Sequence, residues 1–559
     1  MFLDALSRLG LSPRDYLLKY VLPAFVISII LSALGLTYFS GYVKLLVLLI
    51  SILVLISAIG YPYIELDTQK NKINEKLHIF ITKFGVLSIT DLDRKDLMRI
   101  LASEKEELGQ LAEESKKLYV LIKRWNQSLA EACRFMAKRT PSSEFSDFLD
   151  RMAYSIDSGE DLKDFLLKEQ SIVMNDYAAF YKRAIYSLDM FKEIYISAIT
   201  SLAFFVTFAV IAPFIVPYNF VTAVTLAILG FIVLEVCLVY MVKAKMPSDK
   251  LWHTSEMVTP VDAKLKKYLI ISILLTVVSL GVILWGRYIA EIPKLTAIPY
   301  QILFTLGFTP LFIGGYVAKR EEDIVIRKEQ NFPDFLRSLG DSVDAKGGGM
   351  TDSLKYLSSN DFGPLTSDLK NLYKRVVIRI NNNKAWRLFG VETCSYLIQL
   401  FSEMFERCIF LGGSPGQASD IISTNFRKII NLRKSKYQSV EQFTAIIYGL
   451  GGGLALALFT SYGVAYMITN LYNSLQIPEA MISIINITTL GNLSLISYMM
   501  YTCLVIYSLI SAYLIKIMDG GHPQVLLYHF VIILWIASLV SVATELIINK
   551  VLGVGIPIY

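Results

Sequence analysis

Two apolar spans, a polar stretch and two more apolar spans occur in that order in the first half of the chain, and the order repeats about 250 residues later. The polar stretches align without a gap at an offset of 254, which pairs Gly109 with Gly363, Leu111 with Leu365, Lys116 with Lys370, Leu118 with Leu372, Tyr119 with Tyr373, Phe135 with Phe389 and Gly159 with Gly413. Seven identities alone carry little weight. The matching layout of spans around both copies makes the duplication credible. A chain that sets two related polar domains on one side of a membrane is built to receive something there.

Composition supports the membrane reading, because 54% hydrophobic residues and a mean hydropathy of +0.50 exceed what a soluble chain of 559 residues carries. Apolar runs long enough to cross a hydrocarbon core, about 20 helical residues, fall at 20–39, 43–63, 194–216, 220–242, 268–286, 298–318, 444–468, 493–515 and 525–542. The predicted class is all-α, a polytopic protein of about nine membrane helices with two duplicated cytoplasmic helical bundles. The expected segments are 1–64 with spans one and two, a first polar domain at 65–193, spans three and four in 194–243, a basic linker at 244–267, spans five and six in 268–318, a second polar domain at 319–443, and spans seven to nine in 444–559.

Lysine and arginine favour the cytoplasmic side of a membrane. With the N-terminus inside, only Lys44, Arg287, Lys294 and Lys550 of the 54 basic residues fall outside, and the C-terminus is external. No cleavable signal peptide is apparent, since the first apolar run leads directly into a second. Cys133, Cys237, Cys394, Cys408 and Cys503 lie in cytoplasmic domains or in spans, where disulfides are not expected. Asn486 and Asn492 sit in glycosylation sequons close to the membrane on the outer side.

Both polar domains read as helical, with apolar residues at steps of three and four over 145–166 and little strict alternation. Thr140-Pro141 offers an N-cap with a proline at the first helical position, and Ser414-Pro415-Gly416-Gln417 offers another with a capping-box glutamine. Gly109, Gly159, Gly363 and Gly413 read as structural turns, where a permissive backbone is needed. Each domain ends in a stretch with neither glycine nor proline, 160–212 and 417–448, that leads into the next span. Such a stretch predicts either a helical rod from domain to bilayer or a short loop at the membrane surface.

Charge separates the copies: the first domain has 21 basic and 23 acidic residues, the second 19 and 15. No acid interrupts the cluster Lys370, Lys374, Arg375, Arg379, Lys384 and Arg387, or the cluster Arg427, Lys428, Arg433, Lys434 and Lys436. Two readings fit these clusters. One is solvated helix faces, the second near enough to the membrane to attract anionic lipid; the other is an acidic protein partner steered onto the second domain.

Few catalytic candidates stand out. Gly347-Gly348-Gly349 lacks the lysine and hydroxyl of a nucleotide-binding loop, and His78, His253, His522 and His529 lack zinc spacing. No cofactor is expected. Gly412-Gly413-Ser414-Pro415-Gly416 formally fits a nucleophile elbow, but a helical segment precedes it where a strand is required, and a capped helix start accounts for it better. Glu235 stands deep in the fourth span, either functional or hydrogen-bonded between helices. Gly449, Gly453 and Ala457, four apart, predict a close helix-packing face.

The layout resembles the platform proteins of type IV pilus-like machines that carry the type II secretion F domain. The residues behind the likeness are Phe332-Pro333-Asp334-Phe335-Leu336, the Gly347-Gly348-Gly349 turn, Phe362-Gly363-Pro364-Leu365, and Leu411-Gly412-Gly413-Ser414-Pro415-Gly416 before the last domain helix. Nine spans around two domains look like the archaeal branch, in which archaellum and adhesion-pilus platforms both fall. The first domain departs from the pattern, with Asp93-Arg94-Lys95 where the second has its glycine turn. The resemblance implies a cell-membrane platform without enzymatic activity that docks a hexameric cytoplasmic secretion ATPase and handles pilin or archaellin subunits among membrane lipids, as a homo-oligomer and without nucleic acid. The two basic clusters are the candidate ATPase contact. A secondary transporter of two parallel repeats and a membrane hydrolase acting through Ser414 are the alternative classes.

Overall fold

The computed structural model describes residues 13–38, 42–212, 220–246, 249–346, 349–474 and 490–552. Among these residues the fold is built of helices, and the β-structure is an isolated antiparallel bridge between Trp252 and Ser395. In chain order the main helices are α1 (Leu22–Tyr38), α2 (Tyr42–Leu87), α3 (Arg94–Ser103), α4 (Gln110–Arg124), α5 (Leu129–Ala137), α6 (Ser143–Asp157) and α7 (Leu162–Ile211). Then come α8 (Phe220–Lys245), α9 (Pro260–Leu284), α10 (Tyr300–Phe308), α11 (Leu311–Lys346), α12 (Met350–Leu357), α13 (Thr366–Val377), α14 (Asn382–Glu392), α15 (Tyr396–Phe410), α16 (Pro415–Ser474), α17 (Leu490–Asp519) and α18 (Val525–Leu552).

Among the described residues six helices are long and apolar enough to cross a membrane, or seven if α10 and α11, bent by 49°, count as one span. Pro310 sits at that bend, where it removes a helical N–H and clashes with the preceding turn. These helices correspond to the expected spans three to nine. Of the expected span at 20–39, the described side chains give a shorter apolar helix, Leu17–Ile30, while the span at 43–63 lies largely outside the residues whose side chains are described, as do Gly347, Gly348 and the sequon at Asn486.

The order α2 to α7 is repeated by α11 to α16: a long helix leaving the apolar region, four shorter helices, then a long helix returning. Gly109 and Gly363 carry nearly the same left-handed backbone, φ 57° and 59°, as aligned turns of a duplicated domain should. Gly159 is likewise left-handed at φ 80°. At the last turn the positive φ belongs to Gly412 (86°) and not to Gly413. Gly413 is required for a different reason, since an added Cβ would lie 2.4 Å from Cys408 Sγ and 3.2 Å from Thr90 Cγ2.

Helix starts follow local chemistry. Ser414 Oγ accepts from Gln417 N (3.4 Å) and Pro415 opens α16, as its sequence predicts. The cap expected at Thr140-Pro141 falls two residues later, because Ser142 Oγ accepts from Phe145 N (3.1 Å) and α6 begins at Ser143.

By contact the chain forms two compact units: Met1–Ala179 with Met404–Asn425, and Phe180–Glu403 with Phe426–Tyr559. In the first, Phe80 meets Phe145 edge-on at 5.9 Å and Phe148 stacks on Phe145 at 6.1 Å. The segment 404–425 is built into this unit: Arg407 pairs with Glu104, the Cys408 thiol reaches Val86 O (3.2 Å), and Asn425 Nδ2 donates to Thr82 and to Gln170 (2.9 and 2.7 Å). Burial pushes the Cys408 thiol up to about 12, so it behaves as a small apolar group. In the second unit the core of the polar domain gathers Phe332, Phe335, Phe389, Phe401 and Phe426, and a large apolar core joins α7, α8, α16, α17 and α18.

The two expected rods are continuous helices. α7 has 50 residues and α16 has 60, so at 1.5 Å per residue they extend about 75 and 90 Å. In the sequence each begins among residues of the first unit and ends among those of the second.

Candidate coupling site

The linker between the repeats is tied down by an acid. Asp249 accepts from Arg433 Nε (2.8 Å), Lys436 Nζ (2.9 Å) and Tyr181 Oη (2.8 Å). Arg433 Nη1 also donates to both oxygens of Glu329 (3.0 Å each), and Ser395 Oγ donates to Glu329 (2.6 Å). Lys436 reaches Asp519 O (3.1 Å) and Arg433 reaches Lys250 O (2.8 Å). One network therefore joins α7 through Tyr181, the linker through Asp249, α11 through Glu329, the start of α15 through Ser395, α16 through Arg433 and Lys436, and the end of α17 through Asp519. Burial alone would raise the Asp249 carboxyl, but the Arg433 and Lys436 charges beside it prevail and hold it well below the ordinary carboxylate range.

The rest of the linker is pinned by backbone and side-chain bonds. His253 N donates to Cys394 O (3.0 Å) and Tyr396 N to Leu251 O (3.0 Å). Trp252 Nε1 and His253 Nε2 both contact Asp262, which with Thr259 forms the capping box of α9. The segment read as a basic linker is thus an ordered clamp.

This geometry divides the predicted basic residues. Arg433 and Lys436 are buried in the network, at 3% and 2% exposure. Arg375 is half-buried and paired with Glu392, and Arg427 is exposed and paired with Asp334. Lys370, Lys374, Arg379, Lys384 and Arg387 are exposed on α13, α14 and the turn between them, where Val377 and Ile378 also reach solvent. Lys434 is exposed on α16 and Lys428 is half-buried. The clusters are therefore one exposed basic face on α13–α14 and a scattered set on α16.

Within the apolar bundle Glu235 is fully buried; its Oε1 accepts from Ser511 Oγ (3.2 Å), which in turn bonds Tyr195 Oη (2.9 Å). A second buried carboxyl that the sequence did not single out, Glu545, accepts from Gln301 Nε2 (2.9 Å). Of the face expected on Gly449, Gly453 and Ala457, Ala457 packs on the apolar core, and the glycine in close contact is Gly451, two residues from either predicted one. A methyl group at Gly449 or Gly453 would meet nothing within 4 Å, whereas at Gly451 it would lie 3.2 Å from Ile533 and Tyr507, with Ala455 buried on the same side. Spacing identifies residues that share a face but does not say which face meets protein. Asp249 and Glu329 were missed for a related reason: a long-range ion pair leaves no periodicity. The available sign was Asp249 set among Lys243, Lys245 and Lys250.

Comparison with known proteins agrees with this architecture. The type II secretion system protein F family matches residues 80–210, in the first copy, although the likeness was read mainly from the second. Flagella accessory protein J of Methanococcus voltae is 62% identical over 558 residues, covering 100% of both chains. Flagella accessory protein J of Methanocaldococcus jannaschii is 61% identical over 556 residues, covering 100% of this chain and 99% of its own. No solved structure matches the chain. With full-length identity at this level, the chain belongs to the flagella accessory protein J family, multi-pass membrane proteins of archaellum assembly.

Proposed function

We propose that this archaellum-assembly platform couples a hexameric cytoplasmic secretion ATPase to the insertion of pilin-like subunits into the filament base, and to the filament's rotation. The N-terminus and both polar domains face the cytoplasm in this reading, in keeping with the distribution of lysine and arginine. The observation that carries the proposal is the pair of unbroken helices, α7 and α16, each running from a polar domain into the apolar bundle. Motion applied to the domains has a stiff path into the membrane. The ATPase docks on the exposed face of α13–α14, where Lys370, Lys374, Arg379, Lys384 and Arg387 surround Val377 and Ile378. Such a face combines long-range attraction for an acidic partner with an apolar contact at its centre. Arg433 and Lys436 serve the internal network instead.

The test is to purify the full chain with its ATPase and measure complex formation and ATP turnover across a salt series. Lys374→Glu with Arg379→Glu is expected to weaken binding at least tenfold and flatten its salt dependence. Unchanged binding in that variant would refute the assignment.

A further inference from the structure

The first unit carries a groove of about 870 Å³ between α4, α5 and the end of α3. Trp125, at the end of α4, is 68% exposed, and Phe135 on α5 is 37% exposed with the Arg139 guanidinium 3.7 Å above its ring. The aligned position in the second copy behaves differently. Phe389, the counterpart of Phe135, is fully buried against Phe335 and Trp386. The counterpart of Trp125 is Arg379. Two copies of one fold have thus diverged where the first leaves aromatic surface in water, and a large aromatic left in solvent beside a groove is characteristic of a recognition site.

Charge describes what would fill the groove. Its walls hold four cations, Lys105, Lys116, Lys117 and Arg139, against two carboxylates, Glu113 and Glu114. Lys105 pairs with Glu113 (2.9 Å) and Lys117 with Glu114 (2.7 Å). Lys116 and Arg139 form no ion pair among the described residues, so the groove keeps two positive charges to offer. Glu114 supplies an independent sign of a ligand. It is 1% exposed, it lines the groove, and its Oε2 has no hydrogen-bond partner. A buried carboxylate oxygen without a donor is costly. A backbone N–H from an occupying chain would satisfy it.

We propose that this groove docks an acidic segment of a protein partner, whose apolar side chains rest on Trp125 and Phe135, whose carboxylates meet Lys116 and Arg139, and whose main chain donates to Glu114. The first domain is then a receiving surface in its own right, separate from the basic face of α13–α14.

The experiment uses the full chain in nanodiscs of neutral phosphatidylcholine and a fluorescein-labelled 12-residue peptide of glutamates interspersed with phenylalanine and leucine, read by anisotropy. The same peptide with lysine for glutamate is the control. With the α13–α14 face disabled by Lys374→Glu and Arg379→Glu in every sample, the acidic peptide is expected to bind and to lose at least tenfold in affinity on Trp125→Ala and on Lys116→Glu with Arg139→Glu. Equal melting temperatures of the variants keep a loss of binding distinct from a loss of fold. The proposal is overturned if the acidic peptide does not bind, if the groove substitutions leave its affinity unchanged, or if the basic peptide binds as tightly. It is also overturned if phosphatidylglycerol vesicles displace the peptide through the same residues, which would make the groove a lipid contact.

Discussion

Arg433 lies between Asp249 and Glu329, donating 2.8 Å to the first and 3.0 Å to both oxygens of the second; Arg433 and Glu329 are buried and Asp249 is mostly so. Removing one member leaves an uncompensated buried charge, which costs about 3–5 kcal/mol. Asp249→Ala is therefore expected to lower the urea unfolding free energy by that amount. Replacing Arg433 and Glu329 together by leucines should cost less than the sum of the single changes, and a double-mutant cycle measures the difference. Additive losses would mean that the pair is not coupled.

The turn after α17 makes stability depend on pH. Burial first, and then the Asp519 charge, raise the Glu322 carboxyl to about 8, while burial lowers His522 to about 4. Above the His522 unfolded value, near 6.5, His522 no longer differs between the two states, whereas Glu322 does. The folded protein keeps its proton there and the unfolded chain does not, so stability falls as pH rises from about 6.5 to 8, by at most about 1.4 kcal/mol per unit. Below 6.5 the unfolded chain gains a proton on His522 that the folded one refuses, and this opposes the trend. Glu322→Gln should flatten the decline between pH 6.5 and 8 in a thermal-melt series; an unchanged slope would place the effect elsewhere.

Close packing and free surface can be told apart by a single methyl group. At Gly315 an added Cβ would sit 2.2 Å from the backbone nitrogen of Tyr528, which no rotamer change relieves. Gly315→Ala should cost about 1–3 kcal/mol or more and lower the yield of folded protein. Gly449→Ala meets nothing within 4 Å and should be neutral or stabilising by up to about 1 kcal/mol through helix propensity.

A proline within a rod tests its mechanical role. Gln442 is exposed in the middle of α16. Gln442→Pro removes a helical hydrogen bond and kinks the helix at a cost of about 3 kcal/mol. Complex formation with the ATPase should persist while filament assembly fails, whereas Gln442→Ala should support both. Normal filaments in the proline variant would exclude α16 as the path of force.

Features written in local chemistry were legible in the sequence. Apolar run length located the later spans, the absence of glycine and proline over 160–212 and 417–448 marked both long helices, and Gly109 and Gly363 announced the shared left-handed turn. Features that depend on tertiary partners were not legible. The roles of Arg433 and Lys436 were set by Asp249, some 184 residues away from Arg433, and nothing in a basic run separates a buried lysine from an exposed one. The close contact at Gly451 of α16 and the Cys408 contact that demands Gly413 fail for the same reason: each depends on a neighbour that only folding supplies.

Because residues 404–425 complete the wall around Val86, Thr82 and Glu104, the sequence order of the two repeats is not the order in which they become self-sufficient. A fragment that stops before residue 404 would expose the seam where Cys408 and Asn425 belong, and is expected to aggregate when expressed alone. Supplying 404–425 in trans, or grafting it onto that fragment, should restore solubility. Assembly of the first lobe thus waits for synthesis of most of the chain, which delays any receiving surface there until six of the nine expected spans have been made.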